Sequence, residues 1–224
     1  AAGNLTAAFL GGKQAQPAAP QLYFQSGQVE ASVRYNMFDW DIGKRFQPID
    51  ALAVRPVVGV RGGWIDQSFD AVLQAEYTSG LVSVQERVKE EIENNFWGIG
   101  PKVGVESALN LWQEDDLRVH CIANFYAAYL WGHWDISDVA SVLTVVDGLP
   151  IQSTKIVDVP SRNFGAVAFQ AMLGVTVNYR SCSATVGYEL NDWLNQCQIF
   201  DDATGPHNND LLLQGLAVQA SYRF

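Results

Sequence analysis

An all-β fold, an antiparallel up-and-down β-barrel of the transmembrane kind with about eight strands in this chain, is predicted by three observations. Apolar residues alternate with small or polar ones along almost the whole sequence, which is the period of a strand whose side chains point to opposite faces. The connections between alternating runs are short at 47–50, 113–116 and 180–183 and long at 70–95, 135–162 and 196–210, the asymmetry of a barrel with short periplasmic turns and long extracellular loops. Aromatic residues collect at the ends of the apolar faces, as they do at the two interfaces of a bilayer.

The bulk composition agrees. Of 224 residues, 48% are apolar and only 17% charged, with seven Trp and a formal net charge of −10; an average soluble domain carries about 25% charged residues. An acidic chain lacks the basic footprint that phosphate backbones require, so nucleic acid is excluded as a partner. No uncharged apolar run approaches the ~18 residues of a membrane-spanning helix. Cys121, Cys182 and Cys197 have neither CxxC nor zinc spacing, so no metal site is expected.

Taken in order, residues 1–27 are assigned to an N-terminal strand and extracellular loop and residues 28–224 to a single barrel domain. Asn4–Leu10 alternates weakly and supplies the strand that an even count needs. Val29, Ala31, Val33, Tyr35 and Met37 form one apolar set, after which the set shifts by one to Phe38, Trp40 and Ile42. That shift predicts a bulge near Met37. Strands follow at Leu52–Trp64, Trp97–Leu109, Leu117–Trp131, Val167–Tyr179, Ala184–Leu190 and Leu216–Phe224. Gln85–Asn94 places Val88 and Ile92 four apart among charges, which predicts a short surface helix. Asp147-Gly148 lies between apolar runs at 139–157, which predicts a hairpin.

Two features set the faces inside out relative to a soluble sandwich. Trp64 and Trp131 end the apolar faces on one side, and Tyr179, Tyr222 and Phe224 on the other, as interfacial girdles. The opposite faces are rich in Gly and carry sparse charges of both signs: Arg34, Arg55, Arg61, Lys102, Glu106, Arg118, Glu189 and Arg223. These eight residues are the candidate lumen and selectivity groups, and their basic excess predicts a mild preference for anions. In a wide barrel they would ring a pore; in a narrow one they would be buried ion pairs. The terminal strand, with Leu216, Val218, Tyr222 and Phe224 on one face, resembles the signal recognised by the barrel-assembly machinery.

Several blocks carry a wider resemblance: RPVVGVRGGWIDQSF (Arg55–Phe69), NNFWGIGPKVGVES (Asn94–Ser107), YLWGHWD (Tyr129–Asp135), VGYELNDWLNQCQ (Val186–Gln198) and DLLLQGLAVQASYRF (Asp210–Phe224). In this order they resemble the Legionella major outer membrane protein family of pore-forming barrels. The resemblance implies a bacterial outer-membrane location and passive diffusion of small polar solutes or ions. Outer-membrane lipids, lipopolysaccharide and the assembly machinery are the expected partners, with homo-oligomers left open. Catalysis is not expected, since no nucleophile elbow, phosphate loop or HExxH motif is present, nor is a cofactor. The alternatives are a closed structural or adhesive barrel working through its surface loops and, below that, a barrel enzyme.

Overall fold

The computed structural model describes residues 24–79, 81–158, 161–201 and 205–222. Among these residues the chain is entirely strand and turn. The strands are β1 (Ser26–Gly43), β2 (Phe46–Ile49), β3 (Leu52–Ser79), β4 (Val82–Glu114), β5 (Leu117–Val146), β6 (Leu149–Asp158), β7 (Arg162–Tyr179), β8 (Cys182–Asp201) and β9 (Gly205–Tyr222). They form one antiparallel sheet in the order β1-β3-β4-β5-β7-β8-β9, with β2 added to β3 and β6 to β5. The sheet curls into a half-barrel, an all-β architecture of the up-and-down kind. Every step along the path is antiparallel, so its two ends, β1 and β9, run in the same direction. Parity therefore forbids antiparallel closure of β1 directly on β9. Asn4–Leu10, the predicted additional strand, lies outside the described residues.

The predicted helix and, over most of their described residues, all three predicted long loops (70–95, 135–162 and 196–210) are strand instead. Residues 82–95 belong to β4, paired in register with β3 from Ser79↔Val82 downward. Val88 and Ile92 point to the same side in either conformation, because a spacing of four satisfies both the 3.6 and the 2.0 period. Between them Glu90 is also buried, which only the strand explains. β3, β4 and β5 are 28, 33 and 30 residues long, whereas about 9–11 residues suffice for a strand to cross a bilayer. These strands thus run on far beyond a membrane's thickness at the end opposite the short turns.

Along each long strand the two faces exchange character at one level. On β4, Phe96, Asn94, Ile92, Glu90 and Val88 are buried on the concave side while Glu93 and Asn95 are on the convex side. From Trp97 downward the convex side carries exposed Trp97, Ile99, Val103 and Val105, and the concave side carries Gly98, Gly100, Lys102 and Gly104. β3 turns over beside it, between Trp64 and Asp66, which pair with Trp97 and Asn95. β1 does the same between Asn36 and Phe38. The frame shift at Met37 is this exchange and not a bulge, since β1 pairs with β3 without interruption from Ser26 to Gly43.

The short turns carry the backbone that two-residue reversals need. Asp115 (φ 43°) and Arg180 (φ 53°) turn β4 into β5 and β7 into β8. At the opposite end Asp147 (φ 47°) and Gly148 (φ 82°) close the predicted β5–β6 hairpin with the left-handed pair such a turn requires. Gly148→Val is expected to destabilise this hairpin by about 1 kcal/mol. Faster amide exchange at Val146 and Leu149, with β7–β9 unaffected, is the readout; unchanged exchange would mean the tip is held by something other than its turn.

Candidate functional site

On the concave face below the exchange level, the chain builds a polar belt from five strands. Asp39 and Asp41 project from β1, Arg55 and Arg61 from β3, Lys102 and Glu106 from β4, Gln170 from β7 and Glu189 and Asn191 from β8. Strand register puts Asp39 opposite Arg61, Asp41 opposite Gly59 and Gly59 opposite Lys102. The glycine between them leaves room for the ammonium to reach past β3: a Cβ at Gly59 would collide with the Trp40 carbonyl and the Asp41 side chain.

The pairing is dense. Arg61 donates from Nε and Nη2 to both oxygens of Asp39, at 2.7 and 2.8 Å. Lys102 Nζ donates to Asp39 at 2.9 Å and to Asp41 at 2.8 Å, and lies 4.1 Å from the centre of the Tyr126 ring. Arg61 and Lys102 are only 3% and 2% exposed, so these are desolvated charges and not surface pairs. Arg61 also donates to Gln170 across the concavity, from β3 to β7. Gln170 and Asn191 in turn each donate to Glu189 Oε1 at 2.7 Å. Lower down, Arg55 meets both Glu106 oxygens at 2.9 Å, and Tyr126 donates its hydroxyl to Glu106 at 2.9 Å.

Arg55, Arg61, Lys102, Glu106 and Glu189 are therefore brought together, and Arg118 lies on the same face near the turn end, opposite Asn178. Arg34 is not with them. It sits on the convex face above the exchange level, opposite Asp66, because the bulge that would have turned it inward is absent. Arg223 and Phe224 lie outside the described residues. Asp39 and Asp41 are not among the eight sequence candidates, and their signal is the alternation Phe38-Asp39-Trp40-Asp41-Ile42. With Arg34 removed and the two Asp added, Arg55, Arg61, Lys102 and Arg118 face Asp39, Asp41, Glu106 and Glu189, so among the described residues the belt carries no basic excess.

Above the belt the concave face is apolar. Ile65, Phe96, Ala128, Leu130, Trp134, Ala166, Ala168 and Trp193 form one buried cluster, against which Tyr35, Met37 and Leu211 pack. Within the cluster's span, Gly63, Gly98 and Gly132 fall on one row. The Phe96 ring lies over two of them, for a Cβ at Gly98 or Gly132 would strike it. This is the physical content of the NNFWGIG and YLWGHWD blocks: Trp faces out, Phe or Trp faces in, and Gly clears the space beside the ring.

On the convex face Trp64, Trp97 and Trp131 are all about half exposed at the exchange level, and Phe38 packs 6.2 Å from Trp64. Tyr179 and Tyr222 share a row at the turn end through Cys182. Leu216 and Val218, 73% and 70% exposed, lead to that row along β9. Cys121 and Cys182 are unpaired, and among the described residues no His, Cys, Asp and Glu group is placed to hold a metal ion.

A family model described as the Legionella pneumophila major outer membrane protein precursor matches residues 12–224. No curated protein and no solved structure matches the chain. The match spans nearly all of the sequence, and the two-faced antiparallel sheet is what an outer-membrane strand array requires. The protein is thus a bacterial outer-membrane protein, and the chain belongs to the Legionella major outer membrane protein family.

Proposed function

We propose that the protein is a passive pore for small polar solutes and ions, in which the belt of β1, β3, β4, β7 and β8 lines the lumen. The observation that carries this reading is the inversion of faces below Trp64 and Trp97: apolar side chains point outward and ionic ones inward, the arrangement of a water-facing lumen in a lipid-facing wall. The Trp64–Trp97–Trp131 row marks the outer-leaflet interface and the Tyr179–Tyr222 row the periplasmic one. The long ends of β3–β6 then stand at the cell surface, beside lipopolysaccharide. The exposed β9 face is offered to the assembly machinery. Hydrocarbon tolerates no open sheet edge, so a strand running opposite to β1 and β9 completes the wall.

Purified protein in planar bilayers is expected to give discrete conductance steps with little discrimination between K⁺ and Cl⁻, as the balanced belt requires. Arg118→Glu, which changes a half-solvated charge without breaking a buried pair, is expected to shift the reversal potential toward cation preference. Silence at high protein concentration would sink the pore. One observation favours a second reading, a closed structural barrel: Arg61 and Lys102 of the belt are already paired and buried. Folded protein that never conducts, in wild type or variant, would establish that alternative.

A further inference from the structure

The apolar cluster adjoins the belt, where Ala128 opposes Lys102, and its ring contacts reach across the concavity from β1 to β8. The Tyr35 ring of β1 meets the Trp193 ring of β8 edge-on with centroids 6.0 Å apart. Phe96 of β4 stands 4.5 Å from Trp134 and 6.5 Å from Trp193. Trp193 belongs to β8, yet it touches β1 and β4, neither of which is its neighbour in the sheet. A ring of this kind excludes water, and an ion cannot cross a dry constriction.

The same residue lies beside an irregularity. Trp193 opposes Leu211 and Cys197 opposes Asn209, so β8 carries two extra residues against β9 at this point. Asn195 takes up the distortion at φ 55°, and its backbone N–H donates to the Asp210 carboxylate at 2.8 Å. Residues three apart on a regular strand face opposite ways. Here Trp193 and Gln196 are both fully buried, because the bulge turns Gln196 inward as well.

That placement is poorly satisfied. The Gln196 carbonyl accepts from Gln67 at 3.1 Å and Asn94 at 2.9 Å. The Gln196 side chain, however, has neither its Nε2 nor its Oε1 bonded among the described residues, and Asn94 Oδ1 and Trp134 Nε1 are likewise buried without partners. Buried polar groups are almost always paired, and each one left unpaired forfeits the hydrogen bonds it has in water. The shut arrangement thus gains by apolar packing and loses at these atoms and at Trp193 Nε1, which water entering the constriction would satisfy. Opposed terms of that kind, at a bulge whose backbone is tied to Asp210, Gln67 and Asn94, lower the cost of a second arrangement.

We propose that the β8 bulge is the moving part of a hydrophobic gate. Trp193 and Gln196 close the lumen above the belt and withdraw to open it, with Asp210 as the positioning residue that holds the closed bulge. This rests on the pore reading above and adds its regulation.

The test is single-channel recording of wild type, Trp193→Ala, Trp193→Phe and Asp210→Ala in planar bilayers, each checked for folding by heat-modifiable gel mobility. Wild type is expected to open rarely. Trp193→Ala and Asp210→Ala are expected to raise the open probability at least about tenfold, while Trp193→Phe, which keeps a ring in place, gates like wild type. Should Trp193→Ala not fold, Asp210→Ala and Trp193→Phe decide alone. A conducting wild type whose open probability matches that of Asp210→Ala and any folded Trp193→Ala would overturn the gate and leave the pore. Folded protein that is silent in every form would overturn both.

Discussion

Val103→Arg is expected to cost about 2–4 kcal/mol of folding free energy in lipid, and Asn95→Arg close to nothing. The two positions are on one strand, β4, and on one face of it, the convex one. They lie either side of Trp97, where that face changes from polar to apolar. Val103 is 55% exposed, so in water an arginine there would be harmless or helpful. In the hydrocarbon it must drag its guanidinium toward an interface or hold water around it. Equilibrium unfolding from vesicles in denaturant measures both variants against wild type. Equal effects would mean that the Trp64–Trp97–Trp131 row does not mark the bilayer's edge.

That row also explains which parts of the structure were legible in the sequence. Alternation locates a strand, but it does not say which face is inside, and in a strand that leaves the membrane the answer changes partway along. Residues 97–109 read correctly because they lie wholly on one side of the change. Residues 29–42 straddle it, so a continuous strand reads as two strand frames joined by a bulge, and Arg34 falls on the wrong face. The segment 85–94 lies wholly beyond it. There the concave side alternates valine or isoleucine with Glu86, Glu90 and Asn94, which dilutes the period of two until a helical spacing fits as well. Asp147-Gly148 needed no such context, since its left-handed backbone is a local demand.

The apolar cluster was out of reach for a different reason. Its members and the residues packed on them come from β1, β3, β4, β5, β7, β8 and β9, and each looks locally like a lumen or core residue of its own strand. Only the curl of the sheet brings Tyr35 and Trp193 together. The bulge that turns Gln196 inward leaves one trace in sequence, the Asn-Asp-Trp-Leu-Asn-Gln run at 191–196, whose polar residues interrupt the alternation of β8. Asn195 suits the left-handed backbone found there, but asparagine is common in loops, and this stretch borders a segment that read as one.

Lys102→Met is expected to lower stability by about 3–5 kcal/mol, the cost of leaving a buried charge without its partner. Lys102 is the sole described cation bonded to Asp41, whose other oxygen is already buried without a partner; Asp39 keeps Arg61. The damage therefore localises to one carboxylate. Adding Asp41→Asn to Lys102→Met removes that charge, and the double variant is expected to regain at least half of the loss. Both variants and Asp41→Asn alone complete a double-mutant cycle, measured by unfolding from lipid vesicles. A cost below about 1 kcal/mol for Lys102→Met is the value of a solvated pair, and it would mean that water fills the belt in the resting protein. The balance between apolar sealing above and ionic pairing below would then rest on the sealing alone, and the Trp193 variants would carry the whole of the gating effect.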